Sequence, residues 1–265
     1  MTMATKYDRI ADDLREQIAQ GTLRPGQQLP PETALRDRYR VSLVTMRRAL
    51  DELAAEGLIE KRHGYGTFVR KPRQRVVRDA SRHQWEKERA RLPHAERFGT
   101  GATERDTGLE MKDLDFRADY SVTPASEDLA EIFGVPAGTK LLKRVYRTKP
   151  KSEEYPLGLG QSLLVYDVVA ENPHLLDSAN EPWPGGTQAQ LYTIGIELGR
   201  IREQIIARPP SASEAEQLGI DSGVSVFDLR KISYDINGRV VEIADTVLAG
   251  DRTQLVYNIE LDRWQ

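Results

Sequence analysis

The stretch VTMRRALDELAAEGLIEKRHGYGTFV, residues 44–69, changes its periodicity halfway along. Met46, Ala49, Leu50 and Leu53 recur at helical spacing and predict one buried stripe. Ser42, just upstream, is a ready N-cap, and Gly57 supplies a left-handed stop. Thr45, Arg47, Arg48 and Asp51 are left for the outer face. Beyond Gly57 the segments LIEKRH and TFVR are β-prone, and Gly64-Tyr65-Gly66 between them can take the positive φ values of a tight hairpin. Its tip is slim and basic, with charge and donors from Lys61, Arg62 and His63.

Upstream, Tyr7, Ile10, Ala11, Leu14 and Ile18 predict a first helix over 7–20, ended by Gly21 and Pro25. LRPGQQLP (23–30) reads as a turn. Pro31 can open a short second helix through Arg38, with Leu35 and Tyr39 inward. A short helix, a tight connection and a second helix with hydroxyls and arginines in its first two turns form the layout of a helix-turn-helix. The second helix of such a pair enters the major groove of DNA, and glycines in a following hairpin let backbone N–H groups approach phosphates or the minor groove. Taken singly, each signal has a plainer reading: an exposed arginine as solvation, Gly-x-Gly as a turn.

The formal net charge of −3 over 265 residues divides unevenly, because residues 1–75 carry an excess of Lys and Arg while the remainder is acidic. A basic first domain on an acidic body suits contact of the first part alone with a polyanion. The absence of cysteine excludes disulfides and thiolate metal sites and leads us to expect a cytoplasmic protein. The early charges of MTMATKYDRI argue against a signal peptide, and no apolar run approaches the roughly 18 residues of a membrane span. The length suits two domains.

Residues 70–97, RKPRQRVVRDASRHQWEKERARLPHAER, are charged and aperiodic, and we expect a linker over 73–97. A further DNA-binding arm is the alternative. An internal repeat follows at an offset of 85, with Ser126, Phe133, Gly134 and Gly138 matched by Ser211, Leu218, Gly219 and Gly223. Each copy reads as a capped helix, a glycine stop and a strand. Alternation on both sides of Asn237-Gly238 predicts a hairpin, and LGLGQSLLVY and RIREQIIAR predict further strands. The fold class expected is mixed α/β (α+β), with a mostly antiparallel sheet in the second domain.

Read as one unit, residues 7–70 resemble the winged helix-turn-helix domain of the GntR family of bacterial transcription regulators. The resemblance rests on YDRIADDLREQIAQGTLRPGQQLPPETALRDRYRVS, on VTMRRALDELAAEGLIEKRHGYGTFV and on their spacing. Residues 95–265, ending in NGRVVEIADTVLAGDRTQLVYNIEL, resemble the UTRA effector domain of the HutC subfamily, which shares the chorismate lyase fold. The long linker and the loop 173–187 also look like those of actinomycete plasmid-transfer repressors. The implied domains are 1–72 for DNA binding, 73–97 as linker, and 98–265 for effector binding and dimerisation.

The resemblance implies DNA contacts at Ser42, Thr45 and Arg47 on the recognition helix and at Gly64 and Gly66 on the wing, and Arg48 is expected on a phosphate. Arg62 and His63 flank the wing tip, and Arg36 is a candidate phosphate contact beside Arg38 and Arg40. The family often has arginine where Thr33 and Leu43 stand here. In the second domain the resemblance places Arg144, Arg147 and Glu242 near the positions that hold a phosphorylated amino sugar in relatives. A paired-arginine site suits a bidentate anion, and a glutamate suits hydroxyls. A cross-strand surface ion pair is the equally weighted alternative. Departures at Val145, at Leu248 and in the loop KPKSEEYP point away from that sugar. The partners expected are a pseudo-palindromic DNA operator, a small effector, anionic on this reading, and a second copy of the chain. No cofactor, metal site or catalytic residue is expected. A lyase-like enzyme and a repressor without effector remain the alternatives.

Overall fold

The computed structural model describes residues 5–71, 73–98, 101–221 and 223–263. The chain divides into two compact units. The first runs to residue 73 and takes in 209–215 and 220–225, and the second holds 74–208, 216–219 and everything from 226.

In the first unit, α1 (Lys6–Ala19) opens on a reciprocal cap in which Thr5 Oγ1 accepts from Asp8 N and the Asp8 carboxylate accepts from Thr5 N. Helix α2 (Glu32–Tyr39) starts one residue after Pro31, which serves as its cap. A left-handed residue, Arg40 at φ 52°, turns the chain into α3 (Leu43–Ala55), capped by Ser42 Oγ at 3.1 Å from Thr45 N. The three helices bury Ile10, Ala11, Leu14, Leu35, Met46, Ala49, Leu50 and Leu53 in one core. Gly57, at φ 72°, ends α3 as expected. Strands β1 (Ile59–Arg62) and β2 (Gly66–Val69) then pair antiparallel from Ile59↔Val69 to Arg62↔Gly66.

The segment read as a plain turn does more than turn. Leu29 N donates to Thr67 O and Val69 N donates to Gln27 O, each at 2.8 Å, so residues 26–29 line the free edge of β2. An unpaired edge supplies backbone partners that a turn otherwise lacks.

The second unit begins with β3 (Val76–Asp79), α4 (Arg82–Ala90), α5 (His94–Arg97) and α6 (Ala102–Thr107). It continues through β4 (Leu114–Pro124), α7 (Glu127–Phe133), β5 (Lys140–Pro150), β6 (Gly158–Val165), α8 (Tyr166–Val169), α9 (Gly186–Tyr192) and β7 (Leu198–Arg208). Helix α10 (Ala212–Leu218), whose residues 212–215 group with the first unit, precedes β8 (Val226–Asp235), β9 (Val240–Ala249) and β10 (Thr253–Val256). Six strands form one antiparallel sheet in the order β4-β5-β6-β9-β8-β7. Asn237-Gly238 turns β8 into β9, with Asp235 Oδ1 accepting from Asn237 N and Arg239 N at 2.9 Å. Both copies of the repeat take the expected form: Ser126 Oγ accepts from Leu129 N, Ser211 Oγ accepts from Glu214 N, and Gly134 and Gly219 have positive φ.

The period of two sends neighbouring residues of β5 into different clusters. Leu141 joins Leu163, Ile243 and Phe133 on the α7 side, and Leu142 joins Leu164, Val169 and Leu191 on the α8–α9 side. Where Ser233↔Glu242 gives way to Tyr234↔Val240, β9 carries one extra residue, a bulge beside Glu242.

The stretch 73–97 was expected as a linker, yet it holds β3, α4 and α5. Strand β3 pairs parallel with β10 from Val76↔Thr253 to Asp79↔Val256, and Val76 and Ala90 are buried. Its charges find partners far along the chain, which its local composition cannot reveal. Among the described residues no helix is long and apolar enough to cross a membrane.

Candidate functional site

Two surfaces carry chemistry, one in each unit. On the first, α3 presents Val44, Arg47 and Arg48 along its outer stripe, as positions three and four apart share a face. Arg47 Nε donates to Glu32 Oε2 at 2.7 Å, and the Arg47 side chain stays 57% exposed. Arg48 lies 3.9 Å over the Tyr7 ring and donates to its hydroxyl at 3.0 Å. Ser42 and Thr45 share a hydroxyl hydrogen bond of 2.8 Å at the start of the helix. Arg36 pairs with its neighbour Asp37 at 2.7 Å.

The hairpin tip places His63, Gly64, Tyr65 and Gly66 at the surface. Arg62 pairs with Glu60 and lies 4.8 Å over the Phe68 ring, while Lys61 pairs with Asp51 at 2.6 Å. Gly64 and Gly66 have φ 77° and 115°. The Gln28 amide donates to Tyr65 O at 2.8 Å and braces the tip from beneath. A Cβ on Gly66 would lie 2.6 Å from that amide nitrogen. Gly66→Ala is therefore expected to destabilise the wing by about 1–3 kcal/mol, read as weaker DNA binding with the helical far-UV signal retained. The signals missed in the sequence are Gln28, which holds the wing, and Glu32, which fixes Arg47.

On the second surface a cavity of about 300 Å³ lies over the sheet. Tyr146, Gly160, Ser162, Lys231, Glu242 and Ala244 form its floor. Arg78, Arg82 and His83 line one wall, and Glu181, Trp183 and the α9 residues Thr187 and Gln190 line another. Arg144 lies buried beneath, donating to Gln190 Oε1 at 2.5 Å, Ser162 Oγ at 2.8 Å, and Thr187 Oγ1 and Glu242 Oε1 at 3.1 Å.

Glu242 also accepts from Ser162 Oγ at 2.7 Å, from Ser233 Oγ at 3.3 Å and from Lys231 Nζ at 2.9 Å. Burial pushes its carboxyl up, but Lys231 and Arg144 outweigh burial and hold it at about 2. Glu181 accepts from Tyr120, Tyr146, Gln190 and the Trp183 backbone. A carboxylate offers about four acceptor positions. Among the described residues, Glu242 has two donors on each oxygen, whereas Glu181 takes three on Oε1 and only the Trp183 N–H on Oε2.

The wall residues differ. Arg82 pairs with Asp106, Arg78 Nη2 lies 3.7 Å from Glu203, and His83 Nε2 lies 3.0 Å from Glu203. Burial and the neighbouring Arg82 bring Arg78 down to about 10, and burial raises the Asp106 carboxyl. Arg82 Nε, His83 Nδ1 and Trp183 Nε1, atoms of residues that line the cavity, are themselves buried without a hydrogen-bond partner, and His83 Nδ1 lies 3.9 Å from Glu86 Oε2. Such atoms are rare in folded proteins and carry a penalty of about 1–3 kcal/mol each until a ligand or water meets them.

The three effector residues expected from the sequence do not assemble. Arg144 and Glu242 meet, as partners of each other. Arg147 lies on the opposite face, donating to Tyr146 O at 2.9 Å and to Gln217 Oε1 at 3.3 Å, because a spacing of three along a strand changes face. Arg144 and Arg147 thus do not share one face, and the cations on the cavity wall are Arg78 and Arg82, within the stretch read as a linker.

Residues 6–69 match the model of the family described as bacterial regulatory proteins, gntR family, and residues 163–254 match that of the UTRA domain. An uncharacterized HTH-type transcriptional regulator of Streptomyces coelicolor is 30% identical over 97% of this chain and 94% of its own length. The HTH-type transcriptional repressor NagR of Bacillus subtilis is 26% identical over 96% and 94%. The crystal structure of a GntR-family transcriptional regulator superposes with a TM-score of 0.62 at 25% identity, covering 97% of this chain and 98% of the other.

Proposed function

The chain belongs to the GntR family of bacterial regulatory proteins, a transcriptional regulator with a helix-turn-helix DNA-binding domain and a UTRA domain, and from that premise we propose that it is a homodimeric repressor released by a small anionic effector. Two heads on a two-fold axis suit a pseudo-palindromic operator. The similarity to NagR, a named repressor, supports the sign of the response.

One observation carries the effector reading. Glu181 and Glu242 are engaged within the protein, whereas Arg82 Nε and Trp183 Nε1, N–H donors of two wall residues, have no hydrogen-bond partner. With Arg78 beside them, the unmet capacity of the wall suits a ligand rich in acceptor oxygens. Binding shifts the regulator only if its DNA-free form holds the effector more tightly than its DNA-bound form. We read the cavity as regulatory rather than enzymatic, since Glu242, the buried carboxylate of its floor, is held by Lys231, Arg144 and Ser162. The protein would act in the cytoplasm.

The test is the unfolding midpoint of the full chain against a panel of sugar phosphates, small carboxylates and neutral sugars. An anionic member is expected to raise the midpoint of the wild type and of Arg147→Ala equally, and to leave Ala244→Phe, filled from the floor, unmoved. A shift that survives in Ala244→Phe would place the ligand elsewhere, and one lost in Arg147→Ala would reinstate the opposite face.

A further inference from the structure

We propose that Val44 reads the 5-methyl group of a thymine in the major groove. Among the described residues of the first unit, the large hydrophobic side chains that stay exposed are Val44, at 77%, and Tyr65, at 78%. Each occupies the leading end of one DNA-facing element, the start of α3 and the tip of the hairpin. Val44 is the second residue of α3 and shares its outer stripe with Arg47 and Arg48.

The charged members of that stripe have partners within the unit: Arg47 is tied to Glu32 and Arg48 to Tyr7. The core formed by Met46, Ala49, Leu50 and Leu53 lies on the other side of the helix and leaves Val44 uncovered. A β-branched residue is also a poorer helix former than alanine or leucine, so local helix stability does not account for valine here. An apolar side chain at the leading end of a recognition helix needs an apolar feature on base edges, and in the major groove only thymine presents one, its methyl. The inference rests on the reading that α3 enters that groove.

The experiment begins with selection of binding sites by the full-length protein from random-sequence duplexes. Each thymine of the enriched site is then replaced by deoxyuridine, which removes the methyl alone, and affinity is measured by fluorescence anisotropy. At one thymine per half-site the replacement is expected to weaken wild-type binding about three- to fivefold, the scale of one buried methyl group. Val44→Ala should bind the thymine and deoxyuridine sites alike, while Val44→Thr, which keeps one methyl, should retain most of the difference. A deoxyuridine effect that is absent everywhere, or unchanged in Val44→Ala, would overturn the assignment. Failure to enrich any sequence would instead overturn sequence-specific DNA binding itself.

Discussion

Glu242→Ala is expected to destabilise the protein by about 3–5 kcal/mol, a drop of roughly 6–20 °C in the unfolding midpoint of the second unit. The carboxylate is 2% exposed and holds Arg144 at 3.1 Å and Lys231 at 2.9 Å. Removing it leaves the buried Arg144 beside Lys231 without their shared carboxylate, with only the more distant Glu181 opposing the charge of Arg144, and loss of one partner of a buried pair is strongly damaging. Glu242→Gln should fall between the two, since it keeps hydrogen bonds but not charge.

The pH dependence has a definite sign. A carboxyl held at about 2 in the folded protein, below the ordinary 4.5, stabilises the fold fully above pH 4.5. That contribution is lost as pH falls through about 2. The gap between wild type and Glu242→Gln should therefore narrow from pH 4.5 downwards. A midpoint unchanged in Glu242→Ala at neutral pH would contradict this account of the cavity floor. A lost effector response in this variant would report on folding as much as on binding, so Ala244→Phe is the better probe of occupancy.

Arg47→Ala is expected to weaken binding to the selected site by about 1–3 kcal/mol and to relax preference at one position of each half-site. Arg47 projects from the first turns of α3, and its Nε contact with Glu32 orients the side chain before DNA arrives. Base reading removes discrimination at one base pair and leaves the others intact. A phosphate contact gives a different pattern, with uniform weakening across sequences and a salt slope shallower by about one. Binding profiles of wild type and variant over all single base-pair changes separate the two, and an unchanged profile would remove Arg47 from the bases.

What could be read from the sequence was what local chemistry decides. The stripe Met46, Ala49, Leu50 and Leu53, the caps at Ser42 and Gly57, and the hairpin at Asn237-Gly238 each depend on residues a few positions apart, and each forms as expected. The misreadings share a different cause. Strand β3 is stabilised by β10 and by Asp106 and Glu203, all distant in sequence, so its charges resembled those of a solvated linker. Arg147 was grouped with Arg144 by the family resemblance, although face alternation along a strand separates them. Counting parity from Leu141 and Leu142 would have shown this. Glu181 and Trp183 stand in a stretch, NEPWPGG, without periodicity. An acid before a proline and a tryptophan between two prolines was the available signal.

The most direct test of the central claim is fluorescence anisotropy of the purified full-length protein on DNA from upstream of its own gene and on scrambled DNA, at two salt concentrations, with and without the ligand that raises the unfolding midpoint. The account predicts binding that prefers the upstream DNA at both salts and is released by the ligand in the wild type but not in Ala244→Phe. Specific binding that no cavity ligand releases would contradict effector control, and equal binding to both DNAs, lost alike with salt, would contradict a sequence-reading regulator.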